Sequence, residues 1–232
     1  MLFVPTIGAK LSGKIGGIVA SHNRGGAYFR LAVVPTNPNT LFQQAVRTAV
    51  AALTAAWQDT LTQPERDAWQ VYADNVEVVN RIGEKVNISG IAHFIRSNVA
   101  RLQNGLVSIL AAPTRFNLGQ FAKGNANAAS QAAQSIDIVF GATIPVDPWI
   151  SEAGSFMLAY VSPPQNSGIK FYKGPYRLAG SLQGDPIPPV SPFVVTAPFS
   201  ITDGTRVFVR TVVVYADGRA TTPILTNALV AA

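Results

Sequence analysis

The chain has 232 residues, a net charge of +6 and only 13% charged residues, against about 25% in an average globular domain. It contains no cysteine, which excludes disulfides, zinc–thiolate sites and thiol nucleophiles. A surface this poor in charge suits a protein that packs against copies of itself or other chains. The chain has neither a basic, apolar, small-residue leader at Met1 nor an apolar run of about 18 residues, so we expect neither a signal peptide nor a membrane partner.

Residues 8 to 17, GAKLSGKIGG, contain Gly8, Gly13 and Lys14 at the spacing of a phosphate-binding loop, G-x-x-x-x-G-K. That loop also needs a Ser or Thr after the lysine to hold magnesium, and a helix must follow it. Ile15 occupies the hydroxyl position, and each glycine of the pair that follows disfavours a helix by about 1 kcal/mol. We therefore interpret the stretch as a glycine-rich extended segment, and we expect no nucleotide or other cofactor.

Residues 1–39 are predicted to form an extended arm that contains a β-hairpin. The runs IGGIVA and AYFRLAVV are β-prone and are separated by turn-forming residues. A hairpin alone is marginally stable in water, so we expect its apolar strands to pair with a neighbouring molecule. The first forty residues carry basic side chains and no acid. We predict that the arm contacts a partner through Lys10, Lys14, Ile18, Arg24, Tyr28 and Arg30.

Residues 40–105 are predicted to form a unit of three helices. Thr40 with Gln43, and Thr62 with Glu65, have the spacing of capping boxes, and Ser89 precedes a third periodic segment. Trp57 and Trp69 flank the first turn and are expected to pack together. In the third helix the spacing directs Ile91, Phe94, Ile95, Val99 and Leu102 inward and directs Arg96 and Arg101 outward.

Residues 106–134 lose this periodicity and are predicted to be a connector that lies over a surface. From 135 to 232 the chain alternates short β-prone runs with turns rich in Pro, Gly and Asn, as expected for an immunoglobulin-like antiparallel β-sandwich. The strand near Val207–Tyr215 is apolar on both faces, so we expect it to be central and buried, or to carry a bulge. The whole chain is therefore predicted to be an α+β protein.

The sequence offers little for catalysis or metal binding. Two histidines, His22 and His93, are too few for a three-ligand zinc site, and each is interpreted as solvent-facing or capping. Glu65 and Asp67 fall in a helical first turn, where negative charge complements the helix dipole. We expect no enzyme activity and no metal site.

Two resemblances follow from particular stretches. RVFVRTVVVYADGRATTP resembles the last two strands of a fibronectin type III or related immunoglobulin-like module, covering about residues 135 to 232. The first half resembles a family of tailed-bacteriophage virion proteins with a glycine-rich G-K-x-G-G segment, N-x-x-G-x-Y-x-R, P-x-N-P-x-T, and a tryptophan followed by L-T-x-x-x-R-x-A-W. Here these motifs correspond to Gly13–Gly17, Asn23–Arg30, Pro35–Thr40, and Trp57 with Leu61–Trp69. The second resemblance implies a particle component without catalytic residues.

The leading hypothesis is a structural protein of a bacteriophage virion, a head, head–tail connector or tail accessory protein. It would assemble with capsid, portal or tail proteins and with copies of itself. One alternative is a nucleic-acid-binding module that uses the basic arm, whose affinity would fall steeply with salt. Another is a carbohydrate-binding module that stacks sugars on Trp149, Tyr160, Tyr172 and Tyr176, although aromatic residues at such positions are more often core.

Overall fold

The computed structural model describes residues 2–3, 12–24, 26–34, 36–37, 39–80, 83–119, 121, 124–141 and 148–232. The chain is an α+β protein that contains helices and a large, mostly antiparallel β-sheet. It divides into two compact units, Met1–Asn117 and Leu118–Ala232. The predicted boundaries at 105/106 and 134/135 therefore lie on either side of the observed division.

The first unit begins with a four-stranded antiparallel sheet. Its strands are β1 (Leu2–Phe3), β2 (Gly13–Ile15), β3 (Ile18–Asn23) and β4 (Gly26–Leu31), and their order in the sheet is β1-β4-β3-β2. The predicted hairpin is present as β3 and β4. The run IGGIVA is not one strand, because Gly16 adopts a φ of +56° and turns the chain between β2 and β3. We call this sheet the arm sheet.

Two capped helices follow, as their boxes predict. Helix α1 (Leu41–Ala55) begins after Thr40, whose Oγ1 accepts from the Gln43 backbone N–H at 3.3 Å. A single π-helical turn, Ala56–Thr60, leads towards helix α2 (Gln63–Asn75). The Glu65 carboxylate accepts from the backbone N–H and hydroxyl of Thr62, both at 2.8 Å. These bonds hold the pKa of Glu65 below its ordinary value.

The third helix, α3 (Gly90–Gln103), contributes Phe94 to the helical core. Before it, the short strands β5 (Val78–Val79) and β6 (Lys85–Val86) form an antiparallel pair. Phe94 is fully buried, and its ring centroid lies 5.6 Å from those of both Trp57 and Trp69. The two tryptophans thus share a core through Phe94.

The orientation predicted for α3 was only partly right: of the side chains predicted to point inward, Phe94 is buried, but Ile91, Ile95, Val99 and Leu102 are half-buried. Arg101 is buried and its Nε donates to the Val107 carbonyl at 3.0 Å, so it does not point into solvent. His93 is also buried, with its ring 5.0 Å from that of Tyr72, so it is neither solvent-facing nor capping. Asn98, between them, bonds to both the N–H and the carbonyl of Ile109. The start of the predicted connector therefore lies along this helix and bonds to the buried side chains of Asn98 and Arg101.

The second unit consists almost entirely of strands. They are β7 (Gly124–Ser130), β8 (Ser135–Phe140), β9 (Phe156–Val161), β10 (Gln165–Asn166), β11 (Arg177–Gln183), β12 (Phe193–Thr196), β13 (Thr205–Val214) and β14 (Ile224–Ala231). A 3₁₀ turn, Pro148–Ser151, precedes β9. The connector prediction for 106–134 was wrong for Gly124–Ser130, which is a strand of the sheet.

The strand order is β11-β9-β13-β14-β7-β8-β12, and β10 pairs separately with β13. All pairs are antiparallel except β14 with β7. The end strands approach one another, with Gly180 of β11 close to Phe193 and Val195 of β12. The sheet therefore curls into a nearly closed barrel. As predicted, β13 is central, between β9 and β14, and most of its side chains are buried on both faces.

Apolar side chains fill the interior of this barrel. Ile136, Ile138, Trp149, Met157, Val209 and Val213 are each fully buried there. Gly184 lies so close to the Trp149 carbonyl oxygen that a Cβ would overlap it. Glycine is therefore required where the chain leaves β11.

Candidate functional site

The arm sheet has a basic row on one face. In the strand register, Lys14 of β2 lies opposite Val19 of β3, and Val19 lies opposite Arg30 of β4. Directly opposed residues of neighbouring strands project from the same face of a sheet. The row Lys14–Val19–Arg30 thus places a valine between two cations.

A cleft of about 230 Å³ lies over this row, and we call it the arm cleft. It is lined by Lys14, Val19, Arg30, Ala32, Val33 and Val34. Among the residues that the structure describes, neither Lys14 nor Arg30 forms an ion pair. The first acidic residue of the chain is Asp59. An acidic group from another molecule would therefore meet two cations that no described carboxylate pairs with.

The opposite face of the arm sheet carries an apolar row. Ile15, Ile18 and Leu31 lie opposite one another in the register, and they are 82%, 50% and 71% exposed. More exposed apolar side chains follow along the chain, at Val33, Val34, Leu41, Phe42 and Val46. Large apolar side chains that are adjacent and exposed usually mark an interaction surface.

The structure brings some of the predicted partner-binding residues together and separates others. Lys14 and Arg30 share the arm cleft. Tyr28 lies on the same face as Arg30, two residues earlier on β4, and is half-buried. Ile18 belongs to the apolar row on the other face, and Arg24 is exposed at the β3–β4 turn. Lys10 and Gly8 lie outside the described residues.

Sequence reasoning did not single out several residues of this site. Val19 and Val33 line the cleft, and Ile15 and Leu31 complete the apolar row. The signal was present in the two-residue alternation of K-I before Gly16 and R-L at the end of β4, because alternate residues of a strand face opposite sides. The two faces of the arm sheet can be predicted from this alternation once Gly16–Gly17 is recognised as a turn.

Gly13 and Lys14, which have the spacing of a phosphate-binding loop, lie in a strand. Lys14 is a β2 residue, and the chain continues through a turn into strand β3. No helix N-terminus follows Lys14 within residues 12–24, so a phosphate would lack the aligned backbone N–H groups that such a loop supplies.

His93 is an unusual titratable group in the helical core. One of its ring nitrogens bonds to the Val76 backbone, and Nε2 is buried with no hydrogen-bond partner among the described residues. Burial, and to a lesser extent the positive charge of Arg96, lowers the pKa of His93 from 6.5 to about 4. No group of three or more His, Cys, Asp or Glu residues with metal-binding geometry occurs in the described part of the chain. His93 therefore has no ligand set around it there.

The four aromatic residues considered for sugar stacking do not form one platform. Trp149 is buried in the barrel, against Phe121 and Phe140. Tyr172 stacks on Phe208 with ring centroids 5.9 Å apart, and Tyr176 packs edge-on against Tyr172. The Arg210 guanidinium lies 5.8 Å from the Tyr160 ring centroid. Trp149 is therefore buried away from solvent, whereas the three tyrosines are half-buried and contact other side chains. The four residues thus offer no common stacking platform for a sugar.

Comparisons with known proteins add little. No family model matches the chain, and no curated protein matches it. Among solved structures, the chain is similar to a Fn3-like protein from Clostridium thermocellum, with 11% identity and a TM-score of 0.29. The similarity covers 49% of this chain and 97% of that protein. So loose an overlap carries no argument about fold or function.

Among the described residues, no helix is long and apolar enough to span a bilayer.

Proposed function

We propose that this protein is a structural component of a tailed-bacteriophage virion, a head, head–tail connector or tail accessory protein, that acts by protein–protein assembly. The observation that carries the proposal is the exposed apolar row Ile15–Ile18–Leu31 on a small sheet. Burying a side chain of this size is worth about 1.5–3 kcal/mol relative to leaving it in water. Contact with another subunit would recover that energy.

Two further features support an assembly role over catalysis. The chain is poor in charge, so large parts of its surface can be buried in contacts at little desolvation cost. The arm carries cations on one face and apolar residues on the other, which provides both orientation and burial. The virion assignment itself comes from the motifs in residues 13–69 and their resemblance to tailed-phage particle proteins. The proposed location is the virion, and the proposed partners are capsid, portal or tail proteins and copies of this chain.

We also infer that the second unit is an immunoglobulin-like β-sandwich. The strand order separates into four strands, β11-β9-β13-β14, and three strands, β7-β8-β12, joined by the β14–β7 pair. Two antiparallel layers with the long β13 near the centre of one are the arrangement expected of such a module. A module of this kind would project from a particle or bridge neighbouring subunits.

Mass spectrometry of purified phage particles tests the virion assignment. We expect peptides from both units of the chain, present at a stoichiometry that stays constant through repeated density-gradient purification, because a structural subunit stays bound to the particle. Absence of the chain from intact, infectious particles would overturn the assignment. Loss of the chain during repeated purification would overturn it as well.

A further inference from the structure

Charge is unevenly distributed along the first unit. Residues 1–58 contain five Lys or Arg and no Asp or Glu, whereas residues 59–84 contain six Asp or Glu and two Arg. The arm sheet belongs to the first segment, and helix α2 belongs to the second. One copy of the chain therefore carries two surfaces of opposite sign.

The exposed face of α2 repeats the pattern of the arm cleft with the charges reversed. Asp67, Val71 and Asp74 are spaced at four and three residues, which places them on one face of the helix. All three are exposed, and Val71 is 50% exposed. Gln63 Nε2 donates to the Asp67 Oδ1 at 2.8 Å, and Gln70 Nε2 donates to the Asp74 Oδ1 at 2.7 Å. These bonds orient both carboxylates on either side of the valine.

The two patterns also match in length. Seven residues of an α-helix rise about 10.5 Å, which is the axial distance from Asp67 to Asp74. Lys14 and Arg30 lie two strands apart, and at about 4.8 Å per strand their backbones are about 10 Å apart. A helix laid across the strands would therefore place each carboxylate near one cation, and it would place Val71 above Val19.

We propose that helix α2 of a second copy of this chain docks in the arm cleft, with Asp67 and Asp74 facing Lys14 and Arg30 and with Val71 entering between them. Either aspartate can face either cation, depending on the direction of the helix. The inference rests on the proposed assembly function and names its partner. Because the two surfaces differ, the contact is heterologous, so each copy can bind one neighbour through its arm and another through α2. Such contacts build rings or extended arrays.

Complementary charge-reversed variants test this contact. Lys14→Glu/Arg30→Glu makes the arm cleft acidic, and Asp67→Lys/Asp74→Lys makes the α2 face basic. We expect each variant alone to self-associate at least about 100-fold more weakly than the wild type in analytical ultracentrifugation, because like charges face each other at every contact. An equimolar mixture should recover association, because each acidic surface then meets a basic one.

A matched control reverses two exposed cations of the second unit, Lys170→Glu/Lys173→Glu, and should associate like the wild type. Circular dichroism identifies any variant that fails to fold, and for such a variant the milder pairs Lys14→Gln/Arg30→Gln and Asp67→Asn/Asp74→Asn replace the reversals. These neutral pairs should each weaken association, since both remove attraction.

Three results would overturn the proposal. One is association of both charge-reversed variants at wild-type strength. Another is weakening by the arm variant alone, with the α2 variant unaffected, which would show that the cleft binds something other than α2. The third is loss of binding to a DNA duplex in the arm variant while self-association is unchanged, which would make nucleic acid the occupant of the cleft. The first result can be separated from failure of the assembly function itself. If both charge-reversed variants associate normally but deletion of residues 1–39 weakens association, the arm still drives assembly, but not through the contact with α2.

Discussion

We expect Phe94→Ala to lower the free energy of unfolding of the helical unit by about 3–5 kcal/mol, the usual cost of truncating a buried phenylalanine. Phe94 is fully buried and contacts the rings of both Trp57 and Trp69. Its removal would leave a cavity between α3 and the segments that carry the tryptophans. Urea denaturation followed by the helical circular-dichroism signal measures the change.

Phe171→Ala is the matched control, because its side chain is 71% exposed and its truncation should change stability by less than about 0.5 kcal/mol. If Phe94→Ala does not fold, Phe94→Leu should still fold and be less stable than the wild type by about 1 kcal/mol or more. A loss below about 1 kcal/mol for Phe94→Ala would show that Phe94 is not the centre of this core.

The helical unit should also lose stability as the pH falls from 6.5 towards 4. His93 is held neutral in the folded protein, with a pKa near 4, whereas the unfolded chain takes up a proton near 6.5. In this window the unfolded state binds more protons, so unfolding becomes easier as the pH falls, and the effect levels off below about 4. The difference between the two pKa values sets an upper limit of about 3 kcal/mol.

The part of this window above about pH 5.5 isolates His93 from Glu65, whose pKa is lowered from 4.5 and which begins to contribute about one pH unit above that value. Urea denaturation at a series of pH values measures the effect. Replacing His93 with Phe should remove the pH dependence between 6.5 and about 5.5. A wild-type stability that is constant over this range would contradict a buried, neutral His93.

The parts of the fold set by neighbouring residues could be predicted from the sequence. Both capping boxes, at Thr40 and Thr62, begin helices as their spacing indicates, because a cap is satisfied within four residues. The position of β13 at the centre of its sheet could also be predicted, because a strand that is buried on both faces has a nearly continuous run of apolar residues.

The errors arise where a distant segment decides the environment. Arg101 and Asn98 are buried because the backbone at Val107 and Ile109 accepts or donates their hydrogen bonds, and helical periodicity carries no information about that loop. Strand β7 is rich in Ala and Asn and has weak β-propensity. It is held by β8 on one side and by a parallel pairing with β14 on the other. That pairing joins residues about a hundred positions apart.

The candidate site was predicted in part. The basic residues of the arm could be named from the sequence, but their common face depends on strand register. Gly16 at a φ of +56° places Lys14 opposite Val19, and the β3–β4 hairpin then adds Arg30. A shift of one residue would have moved Lys14 to the apolar face.

The central claim is that residues 1–39 drive assembly through contact with other polypeptide. Multi-angle light scattering tests it most directly, by comparing the full chain with a shortened chain. The shortened chain lacks residues 1–38 and starts with a methionine in place of Asn39. We predict that the full chain has a mass several times that of one copy, rising with concentration, and that the shortened chain remains folded and has the mass of a single copy. Equal association of the two chains would contradict the claim, as would a full chain that stays monomeric at every concentration.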